Sequence, residues 1–146
     1  MYDIEKIGKI IADLERYFAE LDKLNVQSPS MSTERFYSLS MLLFAILNRA
    51  IDLGEEIILG RKLGMPSSYR DIFQILERKK VIGKPLSQEL QYLAARRNVL
   101  AHEYFDVTEQ SIYALSRKIK AVKEFADIVR LVVRSRKTAK TTGKKT

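Results

Sequence analysis

The chain has 146 residues, of which 46% are hydrophobic and 30% charged, and its formal net charge is +8. This length and balance predict one folded domain. The chain has no cysteine and one histidine, His102. This composition excludes disulfides, zinc–thiolate sites, iron–sulfur clusters, cysteine nucleophiles and any multi-histidine metal site within one chain.

The positive charge is concentrated at the C-terminal end. From Arg130 onward there are seven cations and no carboxylate, and the rest of the chain carries a net charge of only +1. A basic tail suits a polyanion such as RNA, because neutralised phosphates release counterions. The alternative is a solubilising terminus. The Lys/Thr/Gly composition predicts a flexible, disordered tail over residues 135–146, after a folded domain over residues 1–134.

No segment is expected to span a membrane. The longest apolar run, residues 41–47, is far shorter than the ~20 residues of a spanning helix. The N-terminus has acidic residues and no apolar signal-peptide core. We therefore expect no membrane contact and a cytoplasmic location.

The first two predicted helices carry apolar residues at spacings of 3 and 4, the pattern of an amphipathic helix. The first stripe covers residues 4–21 and precedes a Ser-Pro-Ser break at 28–30. The second covers residues 36–57, with Ser32 or Thr33 as its N-cap. The second helix is also apolar beyond its stripe, which predicts a central position or an outer face covered by another chain.

Three more helices complete the predicted fold. A short third helix covers about residues 69–80 and has Ser68 and Asp71 spaced as a capping box. The fourth covers about residues 86–104, and the fifth begins after Asp106 or Thr108 and runs to about residue 134. Short connections favour antiparallel neighbours. The predicted fold is an all-α antiparallel bundle of about five helices, with a four-helix core plus the short helix.

Arg97 is the anomaly of the fourth helix, because it lies within an apolar stripe between Leu93 and Leu100. Such an arginine must be paired, snorkel or line a cleft. His102 follows five residues later, about 140° around and about 7.5 Å along a straight helix. The two side chains therefore share no face unless the helix ends near His102 or a second subunit completes the site.

The residues around this pair carry a resemblance to a known family. Residues 96–104 read Arg-Arg-Asn-Val-Leu-Ala-His-Glu-Tyr. This run resembles the signature of the HEPN superfamily and, more closely, of its HepT toxin branch: arginine, a polar residue, histidine, and tyrosine two residues later. Arg97, Asn98, His102 and Tyr104 fill the four places. Segments 48–54 and 69–82 also resemble that branch's second and third helices.

The resemblance implies a metal-independent endoribonuclease that acts as the toxin of a type VII-like toxin–antitoxin pair and needs no cofactor. Arg97 and His102 would be catalytic, and two motifs would face each other in a homodimer. The implied partner is an MNT-type nucleotidyltransferase antitoxin that adenylylates Tyr104.

The chemistry of RNA cleavage agrees with these residue types. RNA supplies its own nucleophile, the 2′-hydroxyl, and a histidine with an ordinary pKa of about 6.5 can act as base or acid. A guanidinium can bind two phosphate oxygens at once. Cleavage needs both an acid and a base, so a single His102 per chain again indicates a dimer. The expected product is a 2′,3′-cyclic phosphate.

Three further residues are candidates for binding or orientation. Asn98 is expected to orient His102 or contact RNA, and otherwise is a surface or interface asparagine. Tyr104 is expected to stack on a base or bond a phosphate, and otherwise packs in the core. Asp52 on the second helix is a candidate orienting partner for Arg97.

Two other functions remain open at this point. The chain can be a non-catalytic helical module that binds a nucleotidyltransferase or nucleic acid. It can also be a nucleic-acid-binding protein that acts through its basic tail, in which case binding depends on residues 130–146 and not on His102.

Overall fold

The computed structural model describes residues 1–102 and 106–145, with side chains described through residue 135. These residues form helices without a strand. The helices are α1 (Ile4–Leu24), α2 (Thr33–Arg61), α3 (Tyr69–Arg78), α4 (Lys84–His102), α5 (Glu109–Lys118) and α6 (Lys120–Lys145). The prediction of an all-α bundle of about five helices is confirmed, with the predicted fifth helix divided at Ile119 into α5 and α6.

The helix starts follow from N-capping side chains. Ser32, Ser68 and Thr108 accept hydrogen bonds from the backbone N–H groups of Arg35, Asp71 and Ser111 at 3.2, 3.0 and 3.1 Å. Each cap satisfies a donor that the first turn leaves unpaired. Asp71 departs from the predicted capping box, because its carboxylate accepts from the backbone N–H of Ser67 at 2.8 Å and not from Ser68.

α2 is the central helix and contacts each of the other five. Its buried residues include Leu39, Leu43, Ile46, Leu53 and Ile57, each 0% exposed. By length and composition α2 is also long and apolar enough to cross a membrane. A core helix passes the same test, and α2 is central in the bundle, so the expectation that no segment spans a membrane is not contradicted. It relied on uninterrupted apolar runs, whereas the apolar residues of α2 are spread along a 29-residue helix.

α6 continues without a break through Lys145. The boundary expected after residue 134 is therefore not a helix end. Lysine, arginine and alanine are good helix formers, so a segment without core residues can still carry helical backbone. The division into a domain over 1–134 and a tail over 135–146 stays a prediction.

A close approach between α2 and α3 sets the position of the candidate site. A Cβ atom on Gly54 of α2 would lie 2.6 Å from Cγ2 of Ile72 and 3.5 Å from Cε1 of Phe73 on α3. Only glycine allows the two helices this separation. The contact holds the start of α3, where Tyr69 lies, against the C-terminal half of α2.

Candidate functional site

Arg97 lies half-buried on α4 among residues of α2 and α3. Its Nε donates a hydrogen bond to Oδ1 of Asn48 at 2.8 Å. Its guanidinium carbon lies 5.4 Å from the ring centroid of Phe44 and 5.2 Å from that of Tyr69. The rings attract the cation through their π faces and restrict its rotamers. Three helices therefore fix the guanidinium in one place.

The charge of Arg97 is not neutralised by the part of the chain that the structure describes. Its second hydrogen bond runs from Nη1 to the amide oxygen of Asn98, at 3.3 Å. Among the described residues no carboxylate lies within 4 Å of Arg97. Amide oxygens and ring faces orient a guanidinium without removing its positive charge. Its remaining N–H donors are suited to an anion such as phosphate.

Asn98 borders a surface depression beside Arg97. The depression has a volume of about 340 Å³ and is lined by Glu55, Pro66, Ser67, Ser68, Tyr69, Ile72 and Asn98. Burial raises the pKa of Glu55, and repulsion from Asp52 and Glu56 raises it further against the opposing effect of Lys6. The opening beside Asn98 is therefore polar and accessible from solvent.

His102 is exposed and is the last residue of α4. α4 is continuous through both Arg97 and His102, so the five-residue separation places their side chains about 140° apart around the helix axis. α4 ends at His102, but its backbone is α-helical from Arg97 up to that residue. Within one chain the structure does not bring the two predicted catalytic side chains onto one face.

The expectation that Asp52 orients Arg97 is wrong. Asp52 accepts a hydrogen bond from Nη1 of Arg49 at 3.0 Å, and Nη2 of Arg49 donates to the buried carboxylate of Asp13 at 2.6 Å. Arg49 lies three residues before Asp52 on the same helix, a spacing at which the two side chains can pair. Burial alone would lower the pKa of Arg49, but its hydrogen bonds with Asp13 and Asp52 outweigh this, and the pKa is raised.

The family model described as "Ribonuclease HepT-like" matches residues 7–129 of this chain. The chain belongs to the ribonuclease HepT-like family. The match runs from the first turn of α1 into α6 and includes the Arg97 site and His102.

The chain is also similar to individual proteins, one of them with a solved structure. The chain is 27% identical over 81 residues to the mRNA nuclease HepT of Shewanella oneidensis, a match that spans 55% of this chain and 61% of that protein. YutE, a cytosolic protein of Bacillus subtilis, has a solved structure with a TM-score of 0.82 at 26% identity, covering 93% of this chain and 95% of YutE.

A second solved structure shares the HepT-like fold. It is a tri-AMPylated HEPN toxin of Shewanella oneidensis in complex with an MNT antitoxin, with a TM-score of 0.78 at 24% identity. The likeness covers 90% of this chain and 99% of that one. At this level of identity the comparison shows a common fold.

One contact of this HepT-like site was not anticipated. Arg97 donates to the amide of Asn48, whereas the predicted partner was the carboxylate of Asp52. Asn48 lies between the buried Leu47 and Arg49, and it follows Phe44 by one helical turn. A polar residue within the most apolar helix is the sequence feature that could have indicated a partner for Arg97.

Two other expectations stand as follows. Tyr104 lies outside the described residues, so its proposed contact with RNA and its modification stay predictions. Within the described part of the chain, no three His, Cys, Asp or Glu side chains are grouped so as to hold a metal ion.

Proposed function

We propose that this HepT-like chain is the toxin of a toxin–antitoxin pair and a metal-independent endoribonuclease. The observation that supports it is Arg97, whose guanidinium is fixed by Asn48, Phe44 and Tyr69 and is not neutralised by a described carboxylate. In this proposal Arg97 binds the non-bridging oxygens of the scissile phosphate. It stabilises the extra negative charge that develops on them in the transition state.

His102 carries the proton transfers in this proposal. The 2′-oxygen attacks phosphorus as a base removes its proton, and the bond to the 5′-oxygen breaks as an acid protonates that oxygen. The products are a 2′,3′-cyclic phosphate and a free 5′-hydroxyl. Neither step requires a cofactor. Asn98, which contacts Arg97 and lies one helical turn before His102, is assigned to RNA contact or to orientation of His102.

A homodimer supplies the second histidine. The outer face of α2 exposes Tyr37, Met41 and Leu59 to 66%, 75% and 67%, and Asn48 lies on the same face between them. These three exposed apolar side chains, called the α2 stripe below, are proposed as the apolar part of an interface. We propose that a second copy covers the α2 stripe and brings its His102 toward Arg97 of the first.

The α2 stripe gives a direct test of the dimer. A Met41→Glu substitution places a charge at the proposed interface and is expected to halve the mass measured by light scattering after size-exclusion chromatography. Met65→Glu is the matched control, since Met65 is 92% exposed in the α2–α3 connection. Equal masses for both variants would contradict the interface.

The proposed partner is an MNT-type nucleotidyltransferase antitoxin that adenylylates Tyr104. Support comes from the AMPylated Shewanella toxin bound to such an antitoxin and from the position of Tyr104, two residues after His102. An adenylate there would place an anionic phosphate near the end of α4, where RNA phosphate is proposed to bind. The proposed location is the cytoplasm, where YutE is described.

The test of the proposed function is RNA cleavage in EDTA by wild type, Arg97→Ala, His102→Ala and the control Lys9→Ala. Lys9 is an exposed cation on α1, far along the chain from the motif. Wild type and Lys9→Ala are expected to leave cyclic phosphate ends, and the other two variants are expected to be inactive. Mass spectrometry of the protein determines whether the purified chain already carries adenylate on Tyr104.

Other outcomes would contradict the proposal. Cleavage that survives His102→Ala would exclude the assigned mechanism. Absence of cleavage by an unmodified protein that still binds RNA would favour a non-catalytic module. Binding that is lost on deletion of residues 130–146, and is unchanged in His102→Ala, would favour action through the basic tail.

A further inference from the structure

Two polar openings lie along the contact between α3 and α4, one bordered by Lys84 to Ala95 and the other by Asn98, and together they form the α3–α4 furrow. The α4 residues that line it belong to a row at spacings of 4-3-4-3-4 that ends at His102, and such residues share a face. The row consists of Lys84, Gln88, Gln91, Ala95, Asn98 and His102. Its lower part borders an opening of about 420 Å³ together with Arg70 and Glu77 of α3, and its upper part reaches the depression beside Asn98. His102 therefore lies in line with the furrow, although it does not share a face with Arg97.

The floor of the furrow is fixed by a hydrogen-bond chain. Gln74 of α3 donates to Gln91 at 3.2 Å, Gln91 donates to Ser87 at 2.9 Å, and the Ser87 hydroxyl donates to the backbone carbonyl of Phe73 at 3.1 Å. Ser87 is 0% exposed. The two helices are thus joined by satisfied polar groups beneath an open surface, and the furrow is built before any ligand arrives.

Cations border the furrow. Arg70 and Lys84 line it and are exposed. Arg96 and Lys118 lie over the Tyr92 ring, at 5.3 and 4.4 Å from its centroid. In the described residues none of these four cations has a carboxylate within 4 Å, although Glu77 lines the same opening. Within the described residues, the furrow therefore presents four cations without an ion pair.

Tyr92 gives this surface a second property. It is 38% exposed, and its hydroxyl accepts a hydrogen bond from Nε of Arg96 at 3.3 Å. The exposed part of the Tyr92 ring can contact a base while the cations around it meet phosphates, and this combination of aromatic ring and cations binds single-stranded nucleic acid. An acidic protein surface would use the cations but has no equivalent need for the ring.

We infer that the α3–α4 furrow binds the single-stranded RNA that flanks the scissile phosphate. The row from Lys84 to His102 spans about 27 Å, at 1.5 Å per residue, so it can accommodate several nucleotides. Arg70, Lys84, Arg96 and Lys118 contact phosphates, and Tyr92 contacts a base. This inference rests on the proposed function for the identity of the strand, and it assigns the furrow to substrate positioning.

The test measures RNA binding by the full chain with His102→Ala, so that cleavage does not interfere. The furrow variant is Arg70→Gln/Lys84→Gln, and the control is Lys9→Gln/Lys120→Gln, which removes the same charge from exposed positions on α1 and α6. The probe is a fluorescein-labelled single-stranded RNA followed by anisotropy over a salt series. The furrow variant is expected to bind roughly tenfold more weakly, with a salt slope shallower by about 1.4, or about 0.7 for each lost phosphate contact.

Equal affinities and salt slopes for furrow variant and control would overturn the inference. It would also be overturned if the furrow variant binds RNA normally but loses the nucleotidyltransferase partner or changes its mass in light scattering. Wild-type cleavage is scored separately. A wild type that cuts no RNA, with binding still lost in the furrow variant, would contradict the proposed function and leave the furrow assigned to RNA.

Discussion

Arg49 of α2 and Arg97 of α4 are both half-buried, and Arg97 bonds to Asn48, the residue next to Arg49. Their charges are nevertheless paired in opposite ways. Arg49 donates to two carboxylates, those of Asp13 and Asp52. Arg97 meets the amide of Asn48 and two aromatic rings. The first arrangement neutralises a cation to join α1 to α2. The second orients a cation and leaves its charge for a ligand.

The largest difference between the two arginines is expected in RNA cleavage. Arg97→Ala removes the proposed phosphate ligand and should lower the cleavage rate by about 10²–10³-fold. Arg49→Met should leave the rate per folded molecule within about twofold, because no reacting atom lies near its carboxylates in this proposal. Single-turnover cleavage, corrected for the folded fraction by circular dichroism, measures both rates. Equal losses would abolish the distinction.

A structural feature of this chain could be predicted from the sequence when it depends only on residues within one or two helical turns. The spans of α1 to α4 and the caps Ser32, Ser68 and Thr108 follow from spacing and from hydrogen bonds within one turn. The division at Ile119 was not predictable in this way. Ile119 is 2% exposed and lies on the apolar stripe, and its backbone stays near helical values, so the hydrophobic pattern continues through the break.

The site was predicted less completely for a physical reason. An arginine within an apolar stripe predicts a partner, and that prediction needs only α4. Asn48 and Asp52 lie one turn apart on the same face of α2, separated by about 6 Å along its axis. Which of them meets Arg97 depends on the rotation and register of α2 against α4. Those are set by core packing between residues 49 positions apart, information that local pattern does not carry.

Substitution of Arg49 should lower the stability of the fold more than substitution of Arg97, the reverse of their effects on cleavage. Arg49→Ala leaves the carboxylate of Asp13, whose side chain is 12% exposed, without its main partner. We expect it to lower the free energy of unfolding by about 2–3 kcal/mol, at or below the usual cost of breaking a buried pair because Arg49 is partly solvated. Arg97→Ala should cost about 1 kcal/mol, since it strands no charge. Urea denaturation at neutral pH measures both.

A second substitution sharpens that result. Asp13→Asn combined with Arg49→Ala removes the stranded charge and should recover part of the lost stability. A double variant no more stable than Arg49→Ala would mean that Arg49 acts through packing and not through its ion pair.

The rings around Arg97 depend on the close approach of α3, which provides a smaller test. Gly54→Ala places a Cβ 2.6 Å from Ile72, which is 1% exposed and has no room to move. We expect a loss of about 1 kcal/mol, because overpacking of about 1–3 kcal/mol exceeds the helix-propensity gain of about 1 kcal/mol. Cleavage should also fall as Tyr69 shifts.

Gly8→Ala on α1 is the control. A Cβ at Gly8 would have no atom within 4 Å, so this substitution should stabilise the protein. A stabilised Gly54→Ala variant with full activity would contradict the proposed role of this contact.

The smallest expected effect concerns Glu55, the carboxylate in the depression beside Asn98. Burial and the neighbouring carboxylates Asp52 and Glu56 raise its pKa in the folded state. A raised carboxyl pKa means that the folded protein binds this proton more tightly than the unfolded chain. The ionised form is therefore unfavourable above the folded pKa, and the penalty disappears as pH falls toward the ordinary value of 4.5. Glu55→Gln should raise the melting temperature slightly at neutral pH and leave it unchanged at about pH 4. The control is Glu34→Gln on the exposed first turn of α2, which should show no pH-dependent gain in melting temperature. Glu55 then differs from Asp13 and Asp52 in the same sense as Arg97 differs from Arg49. Among the described residues no cation lies within 4 Å of its carboxylate, and it borders an opening at the surface.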